Sequence, residues 1–314
     1  MTAPILPPDA ASIRKAADLL AGGGLVAMPT ETVYGLAGDA TNPKAVARIY
    51  EVKERPVFNP LIAHVASGEA AFTQGAFSPQ AMRLAKVFWP GPLTLVVNAT
   101  STTTVCDLAR AGLDTLALRV PAHKAARALL QALSTPLVAP SANPSGRISP
   151  TRANHVAADL GKKIDLILDG GPCSEGIEST VIDARGETPV LLRQGTITPD
   201  AIDAVWPGLA EGGDEGRPVS PGQLLRHYAP DASLRLNVET VEPGEALLGF
   251  GTSSSHKATL NLSPSGDLAE AAANLFAMMR QLDGTHERIA VAPIPMEGLG
   301  AAINDRLARA ANQG

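Results

Sequence analysis

Apolar runs of four to six residues, each ending in a cluster of polar side chains, recur through the first two thirds of this chain. Examples are Leu25–Met28 before Pro29-Thr30-Glu31-Thr32, Pro60–Val65 with His64, Thr115–Val120 with Arg119, and Pro136–Ala139 before Pro140-Ser141-Ala142-Asn143. Runs this short suit buried strands rather than helices. The segments between them, Ser12–Ala21, Pro43–Val52, Ser78–Phe88, Ala122–Leu133 and a stretch ending at Leu160, carry helical periodicity. Further strands are expected at Leu93–Asn98, Ile164–Leu168, Ser179–Asp183 and Val190–Leu192. Strands and helices in irregular alternation specify an α/β chain built on a twisted mixed sheet, not a strict βαβ repeat. Ligands of such sheets gather at strand ends, where the polar clusters stand.

Local punctuation supports these assignments. Ser12 is the expected N-cap of the first helix, and Gly22-Gly23-Gly24 its stop. The three glycines follow a helix and lack a Gly-Lys-Ser/Thr ending, so they read as a turn and not as a phosphate loop. Asn42-Pro43 starts the second helix and Pro56 ends its exit, where an extended backbone would put Lys53 and Arg55 on one side. Ser149-Pro150-Thr151 is expected to cap the helix that runs to Leu160.

Between Trp206 and Tyr228 glycine and proline accumulate and apolar residues thin out, marking an interdomain linker. The reading is three parts: a larger α/β domain at 1–205, a flexible linker or lid at 206–230, and a small Rossmann-like α/β domain at 231–314. The last has strands at Ala246–Phe250 and Arg288–Pro293 and helices at Asp267–Leu282 and Leu299–Ala310. Gly249-x-Gly251 alone is too weak a signal for a nucleotide turn.

Charge and composition exclude several classes. Residues 1–205 balance 18 basic against 18 acidic side chains, and residues 206–314 carry the whole net charge of −5. A neutral first domain with 4% aromatic residues overall is not built to coat nucleic acid. No apolar run approaches a membrane span and no signal-peptide pattern opens the chain. Cys106 and Cys173 stand far apart and away from any metal-ligand spacing, which suits a reducing, cytoplasmic setting.

Five polar clusters remain: Thr30-Glu31-Thr32; Lys53-x-Arg55 with Asn59 and His64; Thr115 with Arg119; Ser141-x-Asn143; and Glu178-Ser179-Thr180 with Arg193. Taken singly, each reads equally well as a polar turn, a solvated helix end or a core histidine. Together they put four cations among hydroxyls and amides without a nucleophile–base pair. That set suits a polyphosphate and transfer at phosphorus, which needs positioning and charge neutralisation more than covalent chemistry. No protein cage for a metal is visible, so Mg²⁺ is expected to arrive on the phosphates. Ser141 lacks a Gly-x-Ser-x-Gly setting and is not an esterase nucleophile.

Pro29-Thr30-Glu31-Thr32-Val33-Tyr34-Gly35-Leu36, Lys53-x-Arg55 with Asn59-Pro60-Leu61, Ser141-Ala142-Asn143, Glu178-Ser179-Thr180-Val181-Ile182-Asp183 and Pro221-Gly222 with His227-Tyr228-Ala229-Pro230 together resemble the threonylcarbamoyl-adenylate synthase family. The resemblance is to its long form, a YrdC-like domain with helices around a cationic cavity plus a small second domain, and it spans essentially the whole chain. It implies a cytoplasmic nucleotidyltransferase that joins ATP, L-threonine and bicarbonate or CO₂ into threonylcarbamoyl-AMP with release of pyrophosphate. Other proteins would then transfer the product to tRNA; direct contact with tRNA stays open. By motif position, Thr32, His64, Arg119, Ala139 and Ser179 would contact threonine. Arg55, Asn59, Thr115, Ser141, Ser149, Arg193 and Tyr228 would contact ATP. Lys53, Arg55, Ser141 and Asn143 would form the catalytic set, with no metal held by protein side chains alone. One departure is Gln223-Leu224-Leu225, where members often have Met-Lys-Tyr. Two rival readings are an RNA-binding module of the same domain type and a carbamoyl-phosphate-using relative, though the latter carries extra domains that are missing here.

Overall fold

A computed structural model describes residues 2–212, 228–252 and 258–312. Most of the expected linker, including Gln223-Leu224-Leu225 and His227, lies outside the described residues. The main sheet is mixed. In spatial order its strands are Ile5–Leu6, Leu166–Leu168, Val26–Met28, Gly35–Asp39, Leu137–Val138, Ile62–His64, Thr115–Arg119, Leu93–Ala99, Thr180–Asp183, Val190–Arg193 and Ala210–Glu211, with Gly75–Ala76 paired to Leu93–Ala99. A second sheet, parallel throughout its described strands, is ordered Ser233–Arg235, Arg288–Val291, Ala246–Gly249 and Leu260–Asn261. Helices Leu268–Asp283 and Leu299–Ala311 pack with it.

The helix ends show where local reading meets tertiary structure. Helix Ala10–Ala21 is capped by Asp9, whose carboxylate accepts from Ser12 N at 2.8 Å, so Ser12 lies inside the helix and is not its cap. Asn42 caps Pro43–Lys53 as expected. That helix ends at Glu54 in the left-handed region, φ 54°, so Lys53 and Arg55 leave it on a tight turn and not on an extended segment. The helix ending at Leu160 starts only at Ala153, with Arg152 as N-cap and no side-chain cap bond; Ser149 and Thr151 serve other partners or stay buried. Strand Gly35–Asp39 was not expected. It fits because its glycines allow close approach: a Cβ at Gly35 would lie 3.0 Å from Ala139 Cβ, and one at Gly38 2.8 Å from Ile49 Cδ1.

One apolar cluster, including Leu36, Ile49, Leu95, Leu118 and Trp206, fills the first domain. A second joins Leu248, Leu275, Phe276, Ile289 and Leu307 of the C-terminal domain to Val33, Ile148 and Ile177 of the first, with Tyr228 among them. Polar contacts reinforce this junction. Arg280 donates to the carbonyls of Ile148 and Ser149 and forks onto Asp159 at 2.6 and 3.1 Å. Gly176, φ 73°, lies so near helix Leu268–Asp283 that a Cβ there would stand 2.4 Å from Ala272 O. Among the described residues no helix is long and apolar enough to cross a membrane.

Candidate active site

The register of the main sheet builds the site. Ile62–His64 and Thr115–Arg119 run parallel with His64 opposite Arg119, so both end together. Leu93–Ala99 runs antiparallel to Thr115–Arg119 and parallel to Thr180–Asp183, which brings Thr94 and Ser179 to the same end. Val190–Arg193 returns antiparallel and delivers Arg193 opposite Val181. A cavity opens there, with about 570 Å³ of free space including the solvent at its mouth. Its walls include Thr30, Thr32, Arg55, His64, Arg119, Ala139, Ser141, Glu178, Ser179 and Arg193.

Arg119 is fixed on three sides. Its Nη2 donates to Glu31 Oε1 at 2.5 Å, its Nη1 to Thr32 Oγ1 at 2.9 Å, and its Nε to the Gly91 carbonyl at 3.2 Å. The other Glu31 oxygen accepts from Ala122 N at 2.9 Å and His123 N at 3.3 Å. Burial by itself would raise the Glu31 carboxyl, but the Arg119 charge and hydrogen bond outweigh it and hold the pKa below 4.5. Thr30 and Thr32 share a hydroxyl contact at 2.9 Å, and Thr30 also donates to Val33 O at 2.6 Å.

His64 is buried, and burial together with the neighbouring Arg119 lowers it to about 3. The ring is therefore neutral at physiological pH. Its Nδ1 lies 3.2 Å from the Ile62 carbonyl, an acceptor only, which places the proton on Nδ1 and leaves Nε2 as an acceptor.

Arg193 donates from Nε to Ser179 O and from Nη2 to Ser179 Oγ, both at 3.0 Å, and Ser179 Oγ meets Thr94 Oγ1 at 2.7 Å. Arg55 donates to the carbonyls of Asn59 at 3.3 Å and Pro60 at 3.0 Å. Burial lowers Arg55 to about 10 and also lowers Arg193; at about 10, Arg55 remains a cation at neutral pH. With Arg119, these are the fixed cations of the cavity wall.

Six expected site residues do not line the cavity. Lys53 is buried, and its Nζ donates to Ser141 O and Asn143 O, both at 2.5 Å, so it ties down the Ser141–Asn143 loop. Burial, with the nearby Arg55, holds its pKa well below the usual lysine range. Asn143 donates to Arg147 O at 2.7 Å and Pro144 O at 3.1 Å. Asn59 contributes its carbonyl to Arg55 and Tyr50, and its Oδ1 is buried without a hydrogen bond partner among the described residues. Thr115 opens the strand that Arg119 ends, about 13 Å away at strand rise. Ser149 donates to Glu178 Oε1 at 2.6 Å. Tyr228 is buried and stacks on Phe276 with centroids 5.2 Å apart.

Residues 18–195 match the Sua5/YciO/YrdC family model, described as "Telomere recombination". Residues 197–312 match the model "Threonylcarbamoyl-AMP synthase, C-terminal domain". A threonylcarbamoyl-AMP synthase of Pyrococcus abyssi is 40% identical over 95% of this chain and 93% of its own length. The chain belongs to the threonylcarbamoyl-AMP synthase family. The Bacillus subtilis member is 38% identical over 95% of this chain and 92% of its own. The solved structure of P. abyssi Sua5 complexed with L-threonine superposes with a TM-score of 0.90 at 38% identity, covering 98% of this chain and 97% of that one. Escherichia coli YciO, at 27% identity and a TM-score of 0.53, covers 61% of this chain and 94% of its own.

Two residues of consequence escape a reading along the sequence. Glu31 looks like an interruption in a hydroxyl run, and nothing local pairs it with Arg119, 88 positions away. Arg306 looks like part of a salt-bridged surface helix. Helical spacing with Ala302, Ile303, Leu307 and Ala310 is the signal that would place it on the buried face.

Proposed function

We propose that this cavity joins L-threonine, bicarbonate or CO₂, and ATP into threonylcarbamoyl-AMP, releasing pyrophosphate. The observation that carries the reading is the convergence of His64, Arg119, Thr32 and Ser179 with Arg55, Ser141 and Arg193 on one cavity. Arg119, oriented by Glu31 and Thr32, receives the threonine carboxylate. His64 Nε2 accepts a hydrogen bond from an N–H or O–H group of the same substrate. Threonine reacts as the free amine: its nitrogen adds to CO₂, taken up directly or formed by dehydration of bicarbonate, and gives up an N–H proton to water to leave a carbamate. A carbamate oxygen attacks the α-phosphorus of ATP, forming the new O–P bond as the bond to pyrophosphate breaks. Arg55 and Arg193, anchored on carbonyls and Ser179, offer fixed positive charge to the phosphates, so little reorganisation is needed as charge shifts.

Glu178, the carboxylate on the cavity wall, is engaged by Ser149 and Arg306 at its two oxygens. This donor set fits Mg²⁺ brought by the phosphates rather than an ion held by the protein. Lys53 and Asn143 shape the loop that presents Ser141. The product is the activated intermediate for threonylcarbamoyladenosine formation in tRNA, handed in the cytoplasm to other proteins for transfer.

Pyrophosphate release is the test, assayed with ATP, threonine and bicarbonate omitted in turn. Release is expected only with all three, and equal turnover without threonine refutes the reading. Arg119→Ala is expected to raise the KM for threonine by about 10- to 100-fold, the loss of a charge-assisted bond. Its KM for ATP should move much less; the reverse pattern would refute this placement of the amino acid.

A further inference from the structure

Arg306 belongs to the C-terminal domain, yet it is fully buried against the wall of the cavity. It sits in helix Leu299–Ala311, and its Nε donates to Glu178 Oε2 at 3.1 Å. Its Nη1 donates to Asp305 Oδ2 at 2.8 Å, and its guanidinium carbon stands 5.6 Å from the centre of the Tyr228 ring. Glu178 lines the cavity and takes the Ser149 hydroxyl on its other oxygen. A carboxylate facing a polyphosphate repels it, and at this burial the repulsion is only weakly screened. Arg193 also feels the Glu178 charge, so without Arg306 the carboxylate is undercompensated and draws on a cation that the phosphates need.

We infer that Arg306 is a positioning residue for ATP: it neutralises Glu178 from outside the cavity, on the side where Ser149 and Tyr228 pack behind the wall, so the C-terminal domain completes the nucleotide half of the site. This rests on the synthase reading of the cavity. It assigns the second domain a charge-balancing part in substrate binding, distinct from simple adhesion between domains. Adhesion alone would make loss of Arg306 harm both substrates alike, in step with the fall in melting temperature.

The test uses the full chain as wild type, Arg306→Ala, Glu178→Gln and the double variant, with thermal melts alongside. Arg306→Ala is expected to raise the KM for ATP by about 10- to 100-fold, the equivalent of one charge-assisted bond. The KM for threonine should change by less than about threefold. Adding Glu178→Gln should recover most of the ATP affinity, because Gln removes the charge but keeps an oxygen for Ser149. If Arg306→Ala fails to fold, Arg306→Met takes its place: it keeps most of the side-chain volume but removes the charge, so the same ATP-specific rise and the same rescue are expected. An unchanged KM for ATP, an equal rise for both substrates, or no rescue overturns the inference. Calorimetry of ATP binding on the same four proteins reads the inference independently of turnover. Failure of the wild type to release pyrophosphate in a threonine-dependent way would instead count against the synthase reading.

Discussion

Glu31→Gln isolates the ion pair that anchors Arg119. Both partners are nearly inaccessible, with side-chain exposures of 4% for Arg119 and 7% for Glu31. Glutamine keeps one oxygen for the Ala122 and His123 backbone N–H groups but turns an NH₂ toward the Arg119 fork. Arg119 would then hold a buried charge with Thr32 Oγ1 and Gly91 O as its hydrogen-bond acceptors among the described residues. Breaking a buried pair from one side costs about 3–5 kcal/mol. At roughly 2–4 °C per kcal/mol for a domain of this size, the melting temperature should fall by about 6–20 °C at pH 7. The pH dependence supplies an internal check. The folded Glu31 pKa lies below 4.5, so the stability it contributes is fully present above that value and is lost as pH falls through the folded pKa. The gap between wild type and variant should therefore be constant from about pH 6 to 8 and close steadily below pH 4.5. Differential scanning calorimetry of both proteins across that range measures it. A gap near zero at pH 7, or one unchanged at pH 3, would refute the account of the pair.

Two further outcomes follow from buried groups. Lys53→Met should lower both turnover and melting temperature, because the Ser141 and Asn143 carbonyls lose their donor at about 1–3 kcal/mol each; a loss of turnover with no change in melting would mean Lys53 acts as a phosphate cation instead. His64 should show no titration by NMR between pH 5 and 8, since its pKa is lowered to about 3. The unfolded ring takes up a proton below about 6.5 while the folded ring does not, so stability falls as pH drops from there toward 3, and His64→Asn should flatten that slope.

The parts of the site that were readable share a cause. Thr32, His64, Arg119, Ser179 and Arg193 each stand at or beside the end of an apolar run, and a sheet brings such ends together whatever its detailed order. Residues whose role depends on long-range pairing were not readable this way. Glu31 and Glu178 find partners 88 and 128 positions away, and no local pattern encodes either distance. Strand Gly35–Asp39 lacks the β-branched and aromatic residues that mark a strand, because its place between neighbours calls for small side chains. Lys53 and Arg55 were placed by assuming an extended exit, which the left-handed Glu54 replaces. Trp206, read as the start of a linker, is 5% exposed in the core of the first domain, and Ala210–Glu211 adds an edge strand beyond it. A chain cut near Val205 would therefore lose part of that core.

The close seat of Gly176 against Ala272 bears on how this protein can change by descent. Any side chain there must push helix Leu268–Asp283 away, and Arg280 would be drawn off the Ile148–Ser149 carbonyls with it. Drift on either side of the seam is thus answerable only by drift on the other. A hybrid made by grafting a relative's second half onto this first half should function only where the donor presents a matching surface at 272–273 and an arginine at the position of Arg306. The two halves are inherited as a matched pair, not as interchangeable modules.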